Sequence, residues 1–114
     1  MKKKFLISII ITYYKKKRFI DQTIQSILNQ SYKNFEIIFV YDDNNKDELK
    51  YIKKVLDNIK RKKIIINSRN LGVAKSRNLA IKKSKGTYLA FIDSDDLWKK
   101  NKLLNQLNYM QQNG

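Results

Sequence analysis

Residues 5–12 read FLISIIIT: six of the eight side chains are apolar, and four are isoleucine. A strand with one wet face alternates apolar and polar residues. This run does not alternate, so it predicts a strand buried on both faces, as in a parallel sheet covered by helices. The lysines before it imitate the head of a secretory leader. However, the run is short and β-branched and leads into Tyr13, Tyr14 and the basic stretch KKKR at 15–18. No small-residue cleavage site follows.

Beyond it, Phe19, Ile20, Thr23, Ile24, Ile27 and Leu28 recur at helical spacing, with Asp21 in the first turn. FEIIFVY at 35–41 predicts a second buried strand, closed by the turn and cap residues DDNN at 42–45. Leu49, Ile52, Lys53, Leu56 and Ile59 predict a second helix, and III at 64–66 a short third strand. Val73, Ala74, Leu79, Ala80 and Ile81 predict a third helix, with Gly86 as its C′ residue. TYLAFI at 87–92 predicts the fourth strand, and Leu97, Leu103, Leu104, Leu107 and Met110 the last helix. Strict alternation with short connections predicts an α/β fold: three layers, α/β/α, around a mainly parallel, Rossmann-like sheet, in one domain over 1–114.

Composition narrows the chemistry. There is no cysteine, which excludes disulfides and zinc-thiolate sites, and no histidine, which excludes Ser-His-Asp triads and imidazole acid–base work. No apolar run approaches the roughly 20 residues that span a bilayer, and the expected location is cytoplasmic. The net charge is +15, with lysine outnumbering arginine 21 to 4. Duplex readers lean on arginine for bidentate contacts, so the balance disfavours nucleic acid. Clusters such as 60–63 (KRKK) would still attract an anionic membrane surface, including an inner-membrane face, or another polyanion.

In a parallel α/β sheet, ligands bind beyond the carboxyl ends of the strands. The residues just after each predicted strand are Thr12, Tyr13 and Tyr14; Asp42 and Asp43; Ser68, Arg69 and Asn70; and Asp93, Ser94, Asp95 and Asp96. Five of the ten acids of a basic chain thus fall on one rim. D-x-D alone is weak, since 8 aspartates in 114 residues produce one by chance about 0.5 times. At the end of a buried strand, however, such acids suit a hard divalent cation, Mg²⁺ or Mn²⁺, shared with substrate phosphates. The competing reading is that Asp95 or Asp96 caps the last helix. Arg69, Lys75 and Arg77 flank the acids and could offset phosphate charge. Neither G-x-G-x-x-G nor G-x-x-x-x-G-K-[ST] is present, which argues against dinucleotide and P-loop sites.

The segments ISIIITYY, SILNQSYKNFEIIFVYDDNN and NLGVAKSRNLAIKKSKGTYLAFIDSDDLW together resemble the family 2 glycosyltransferases, over about residues 5–107. The resemblance implies the GT-A fold and sugar transfer from a nucleotide diphosphate, UDP above all, to a saccharide or lipid-linked acceptor, with inversion, in cell-surface polysaccharide synthesis. It implies that Thr12, Tyr14 and Asp43 meet the nucleoside, with Asp43 on the base and Asp42 supporting that site. Gly72 lies in the loop leading to Arg77, which falls on the nucleotide side. Asp93 is placed toward the ribose and the metal, Asp95 on the metal, and Asp96 beside the sugar. The chain departs from the family at Ile11, where proline is usual, and in DDNN, where DDGS is usual. The resemblance also implies that the acceptor-binding half and the catalytic base lie beyond Gly114, so no catalytic residue is assigned and the chain is expected to be a donor-binding half. Such a half is expected to show an exposed apolar patch or an open sheet edge, and hence to dimerise. The alternative is a non-catalytic basic α/β module that binds a polyanion such as nucleic acid.

Overall fold

The computed structural model describes residues 5–113. In chain order the elements are β1 (Ile7–Tyr13), α1 (Lys17–Leu28), β2 (Phe35–Tyr41), α2 (Lys46–Val55), β3 (Lys62–Ile66), α3 (Val73–Lys83), β4 (Tyr88–Asp93) and α4 (Lys102–Asn113). The strands form one sheet in the order β3-β2-β1-β4, with every pairing parallel. The alternating α/β architecture expected from the sequence is therefore the one observed.

β1 and β2 lie at the centre, which is why their sequences do not alternate. On one face Ile9, Ile11, Tyr13, Ile37, Phe39 and Tyr41 pack against Ile20, Ile24 and Ile27 of α1, Ile52 of α2 and Leu103 and Leu107 of α4. Each fully buried side chain of this size contributes about 1.5–3 kcal/mol. On the other face Ile10, Ile38 and Val40 meet Ala80 of α3. The layers are uneven, with α3 the helix that covers this second face. α2 begins where Asn45 accepts a hydrogen bond from the Glu48 amide at 2.9 Å. Its acids lie in the first turn and lysines in the last, as the helix dipole favours.

Three elements differ from expectation. α3 ends at the cap Ser84, and Gly86 is not its C′ residue. Gly86 instead passes so close to β1 that an added Cβ would lie 2.6 Å from the Ser8 amide nitrogen and 2.9 Å from the Leu6 carbonyl oxygen. α4 starts at Lys102, leaving Leu97 64% exposed, so Asp95 and Asp96 do not cap it. β4, expected to be a buried strand, is an edge strand with Leu89 and Phe91 partly exposed. β3 forms the other edge of the sheet.

A buried polar link fastens the sheet to the α3–β4 connection. The Ser8 hydroxyl donates to Glu36 Oε2 at 2.6 Å, and the Lys85 amide donates to the same oxygen at 2.7 Å. The Gly86 amide donates to Ser8 Oγ at 2.8 Å. Burial opposes the charge on Glu36, but these bonds and the nearby Lys63 and Lys85 outweigh it and hold the carboxyl below its ordinary value of 4.5. A carboxyl lowered by folding stabilises the fold above its unfolded pKa, and that contribution disappears as pH falls through the folded value. In urea unfolding, the stability gap between the natural chain and Glu36→Gln should therefore be widest near neutral pH and shrink on acidification below about pH 4. A gap independent of pH would contradict this assignment.

Candidate functional site

β1, β2 and β3 step across the sheet in one direction, and β4 then pairs on the opposite side of β1. The order reverses between β1 and β4, the kind of switch point where parallel sheets open a crevice. Thr12 and Asp93 are directly paired across it. The cavity there, about 290 Å³, is lined by Thr12, Tyr14, Lys16, Asp42, Val73, Asp93 and Asp95, among others.

Ser94 sets the aim of the two flanking acids. It is buried, its hydroxyl donates to the Thr12 carbonyl at 2.6 Å, and its own carbonyl accepts from the Thr23 hydroxyl at 2.9 Å. With the residue between them tied to β1 and α1, Asp93 and Asp95 remain at the cavity. The Asp96 amide donates to the Asp93 carbonyl at 3.0 Å, closing the turn. Asp96 lines a separate cavity of about 760 Å³ with Phe91, Trp98 and Lys99.

Each acid of the D-x-D carries a protein cation. Arg77 Nη2 lies 3.6 Å from Asp93 Oδ1, and the guanidinium also covers the Phe91 ring. Lys16 Nζ lies 3.3 Å from Asp95 Oδ2. Neither Arg69 nor Lys75 forms an ion pair with these acids among the described residues.

The acids after β2 divide their work. Asp42 is buried, and its carboxylate faces the 67–72 loop. Oδ1 accepts from the Leu71 amide at 2.6 Å and Asn67 Nδ2 at 3.0 Å, while Oδ2 accepts from the Gly72 amide at 2.9 Å and Asn70 Nδ2 at 3.0 Å. Asp42 thus holds the loop that leads into α3, the helix that carries Arg77. Gly72, the residue before α3, has φ of 96°, a conformation that suits glycine. Asp43 accepts from the Asn44 and Asn45 amides through Oδ1. It lines a neighbouring cavity with Lys15, Lys17, Arg18 and Glu48. Tyr14 is 42% exposed, with Lys15 over its ring, whereas Tyr13 is buried and stacked on Tyr41. Burial, and a hydrogen bond to Glu48 at 2.6 Å, raise the Tyr13 hydroxyl pKa strongly. Burial, then the Asp43 and Glu48 charges, push Tyr41 up to about 12. Both tyrosines are structural props and remain protonated.

The acids also decide what cation could fit. Among the described residues no three carboxylates converge as a metal cage. Asp93 and Asp95 offer hard oxygen donors in one cavity, which suits an ion completed by phosphate oxygens and water.

Residues 8–114 match the sequence model of the family described as "Glycosyl transferase family 2". The chain belongs to glycosyl transferase family 2. Within the family, it is 43% identical over 106 residues to the "UDP-Glc:alpha-D-GlcNAc-diphosphoundecaprenol beta-1,3-glucosyltransferase WfaP" of Escherichia coli, covering 93% of this chain and 41% of that protein. The fold matches S. aureus TarS 1-349 in complex with UDP-GlcNAc at a TM-score of 0.83 and 27% identity, covering 93% of this chain and 31% of TarS 1-349. A mannosyltransferase from Pyrobaculum calidifontis, solved with GDP-Man and Mn²⁺, matches at a TM-score of 0.77 over 86% of this chain and 30% of its own. At 18% identity it shows the shared fold alone. The family 2 chain described here therefore spans about two-fifths of the curated relative named above.

Sequence reasoning did not single out Lys16 or Asn67, and it placed Ser94 on the rim without a role. Lys16 is one of four consecutive basic residues, and nothing in KKKR marks which one turns inward. The backbone decides it, with Lys15 at φ of 53°. Ser94 was merely the middle of D-x-D, although a small hydroxyl residue there was its one visible signal.

Removing the charge on Asp42 should loosen the loop without removing a side chain. Asp42→Asn faces donors with a donor, and is expected to cost about 2–4 kcal/mol in unfolding free energy. Hydrogen exchange at the Leu71 and Gly72 amides should accelerate with it; unchanged exchange would show that the carboxylate is not the anchor.

Proposed function

We propose that this chain binds a nucleotide-diphosphate sugar, UDP-linked above all, as the donor-binding part of a glycosyltransferase that transfers the sugar with inversion to a saccharide or lipid-linked acceptor in cell-surface polysaccharide synthesis. The observation that carries this reading is the D-x-D at the carboxyl end of β4, paired through Asp93 to Thr12 across the switch point. Family membership and TarS's structure with UDP-GlcNAc support it. The name of the Escherichia coli relative, with its UDP-Glc donor and diphosphoundecaprenol-linked acceptor, supports the donor and acceptor classes.

The three cavities suit the three parts of such a donor. In this reading the base lies by Asp43, the ribose and diphosphate by Thr12, Arg77, Asp93 and Asp95, and the sugar by Asp96, Phe91 and Trp98. Tyr14 is exposed enough to offer a ring to the nucleoside. Asp95, with Asp93, would hold a divalent ion shared with the diphosphate, supplying Lewis-acid neutralisation of the leaving group. Asp42 and Gly72 contribute by holding the loop that leads into α3, the helix that carries Arg77. No residue of this chain is assigned as the base that deprotonates the acceptor hydroxyl.

Calorimetric titration of the 114-residue chain with UDP should show binding that strengthens when Mn²⁺ is added. Asp95→Ala should weaken the Mn²⁺-dependent affinity by about 10–100-fold. UDP binding that ignores both the metal and the substitution would refute this site. Binding to random DNA that falls steeply with salt would favour the polyanion reading instead.

A further inference from the structure

Asp93 and Asp95 are not left open to a cation; each already has one. Arg77 pairs with Asp93 and Lys16 with Asp95. The two cations differ in how they are held. Arg77 lies against the Phe91 ring as well as the acid, so it has a second reason to stay. Lys16 comes from the connection before α1, directly after Lys15 with its φ of 53°, and its side chain lines the same cavity as both acids. Its backbone carbonyl accepts from the Phe19 and Ile20 amides, which fixes where the side chain starts.

We propose that Lys16 is a resident counter-ion: it neutralises Asp95 while the site is empty of donor, competes there with a divalent cation, and turns to the diphosphate when donor and cation enter together. The inference rests on the nucleotide-sugar reading of this site. It follows from charge. The two ion pairs are each balanced, and Asp42, the third carboxylate lining the cavity, is held by four neutral donors. A divalent ion entering alone displaces Lys16 from Asp95 and adds two positive charges with no anion to offset them. A diphosphate entering alone meets Lys16 and Arg77 but also two carboxylates. Entering together, ion and diphosphate restore the balance, with Lys16 freed to face phosphate oxygens. Lys16 thereby makes the two ligands depend on each other. The site disfavours a bare metal and disfavours a nucleotide without one.

The size of the effect is bounded by exposure. The side chains of Lys16 and Asp95 remain 43% and 38% exposed. Partly exposed pairs are weak, so the competition should amount to about threefold to fivefold in affinity.

The test uses Lys16→Met, which keeps the aliphatic stem and the backbone bonds. Mn²⁺ binding to the 114-residue chain is read by the electron paramagnetic resonance signal of the free ion, without nucleotide. UDP binding is read by calorimetry with and without Mn²⁺. Lys16→Met should bind Mn²⁺ alone about threefold to fivefold more tightly and UDP alone more weakly. The factor by which each ligand strengthens the other should fall. Lys54→Met removes the same charge from an exposed residue in the last turn of α2 that pairs with neither acid, and should leave all three unchanged. Equal Mn²⁺ affinity in Lys16→Met and the natural chain would overturn the proposal while leaving the donor site intact, provided the natural chain binds UDP with Mn²⁺. An equal shift in Lys54→Met would also overturn it, since the effect would then be bulk charge. Failure of the natural chain to bind UDP or Mn²⁺ in any combination would overturn the donor-site reading and this proposal with it.

Discussion

The carboxyl end of β1 is the constraint on which the rest of the rim depends. β1 is hydrogen-bonded on both sides, to β2 and to β4, and buried on both faces. Its last residues therefore cannot move without disturbing two ladders and two packed layers. Each part of the site is fastened to that end. The Asp42 amide donates to the Tyr13 carbonyl, prolonging the β1–β2 ladder by one residue. Ser94 donates to the Thr12 carbonyl and so fixes the D-x-D turn to the same strand. The Tyr13 hydroxyl reaches Glu48 and steadies the start of α2, beside Asp43. One central strand thus sets the relative positions of acids that lie far apart in sequence.

How much of this was legible depended on which physical signal each element carried. β2 was read with its observed limits because FEIIFVY is apolar on both faces and ends sharply in DDNN. Asn45 was legible as a cap, since a short polar side chain before a helical pattern has few other uses. Other features left no local mark. A glycine after a lysine-rich helix looks like a C′ residue, and only the tertiary approach of Ser8 shows that Gly86 serves packing. Leu97 fits the spacing of α4 but lies outside the helix, where its pattern match was fortuitous. β4 read as buried because TYLAFI is apolar, yet an edge strand with exposed Leu89 and Phe91 carries the same letters. The carboxylates of the rim were legible by type and place, while their partners were not. Nothing in sequence tells a four-donor anchor such as Asp42 from a neighbour with an oxygen turned elsewhere.

The contrast between a strongly basic chain and an acidic rim has a local resolution. Long-range attraction from the +15 charge draws anions to the whole surface and, outside a Debye length of about 10 Å, is largely screened. At the switch point the near neighbours matter more, and there Asp93 and Asp95 are each matched by a cation. The rim is an approximately balanced cavity inside a positive field. That combination suits a ligand whose own charges are mixed, an anionic diphosphate with a cation, better than it suits the continuous phosphate ladder of a nucleic acid.

The most direct measurement of the central claim, that the β1–β4 switch point is the donor site, is amide chemical-shift mapping of the chain titrated with UDP and Mg²⁺. The account predicts perturbations concentrated at Thr12, Tyr14, Lys16, Asp43, Gly72, Arg77 and residues 93–96, all at the carboxyl edge of the sheet. Shifts concentrated instead on the basic stretch at 60–63, at the opposite ends of the strands, or the absence of any localised set, would contradict it.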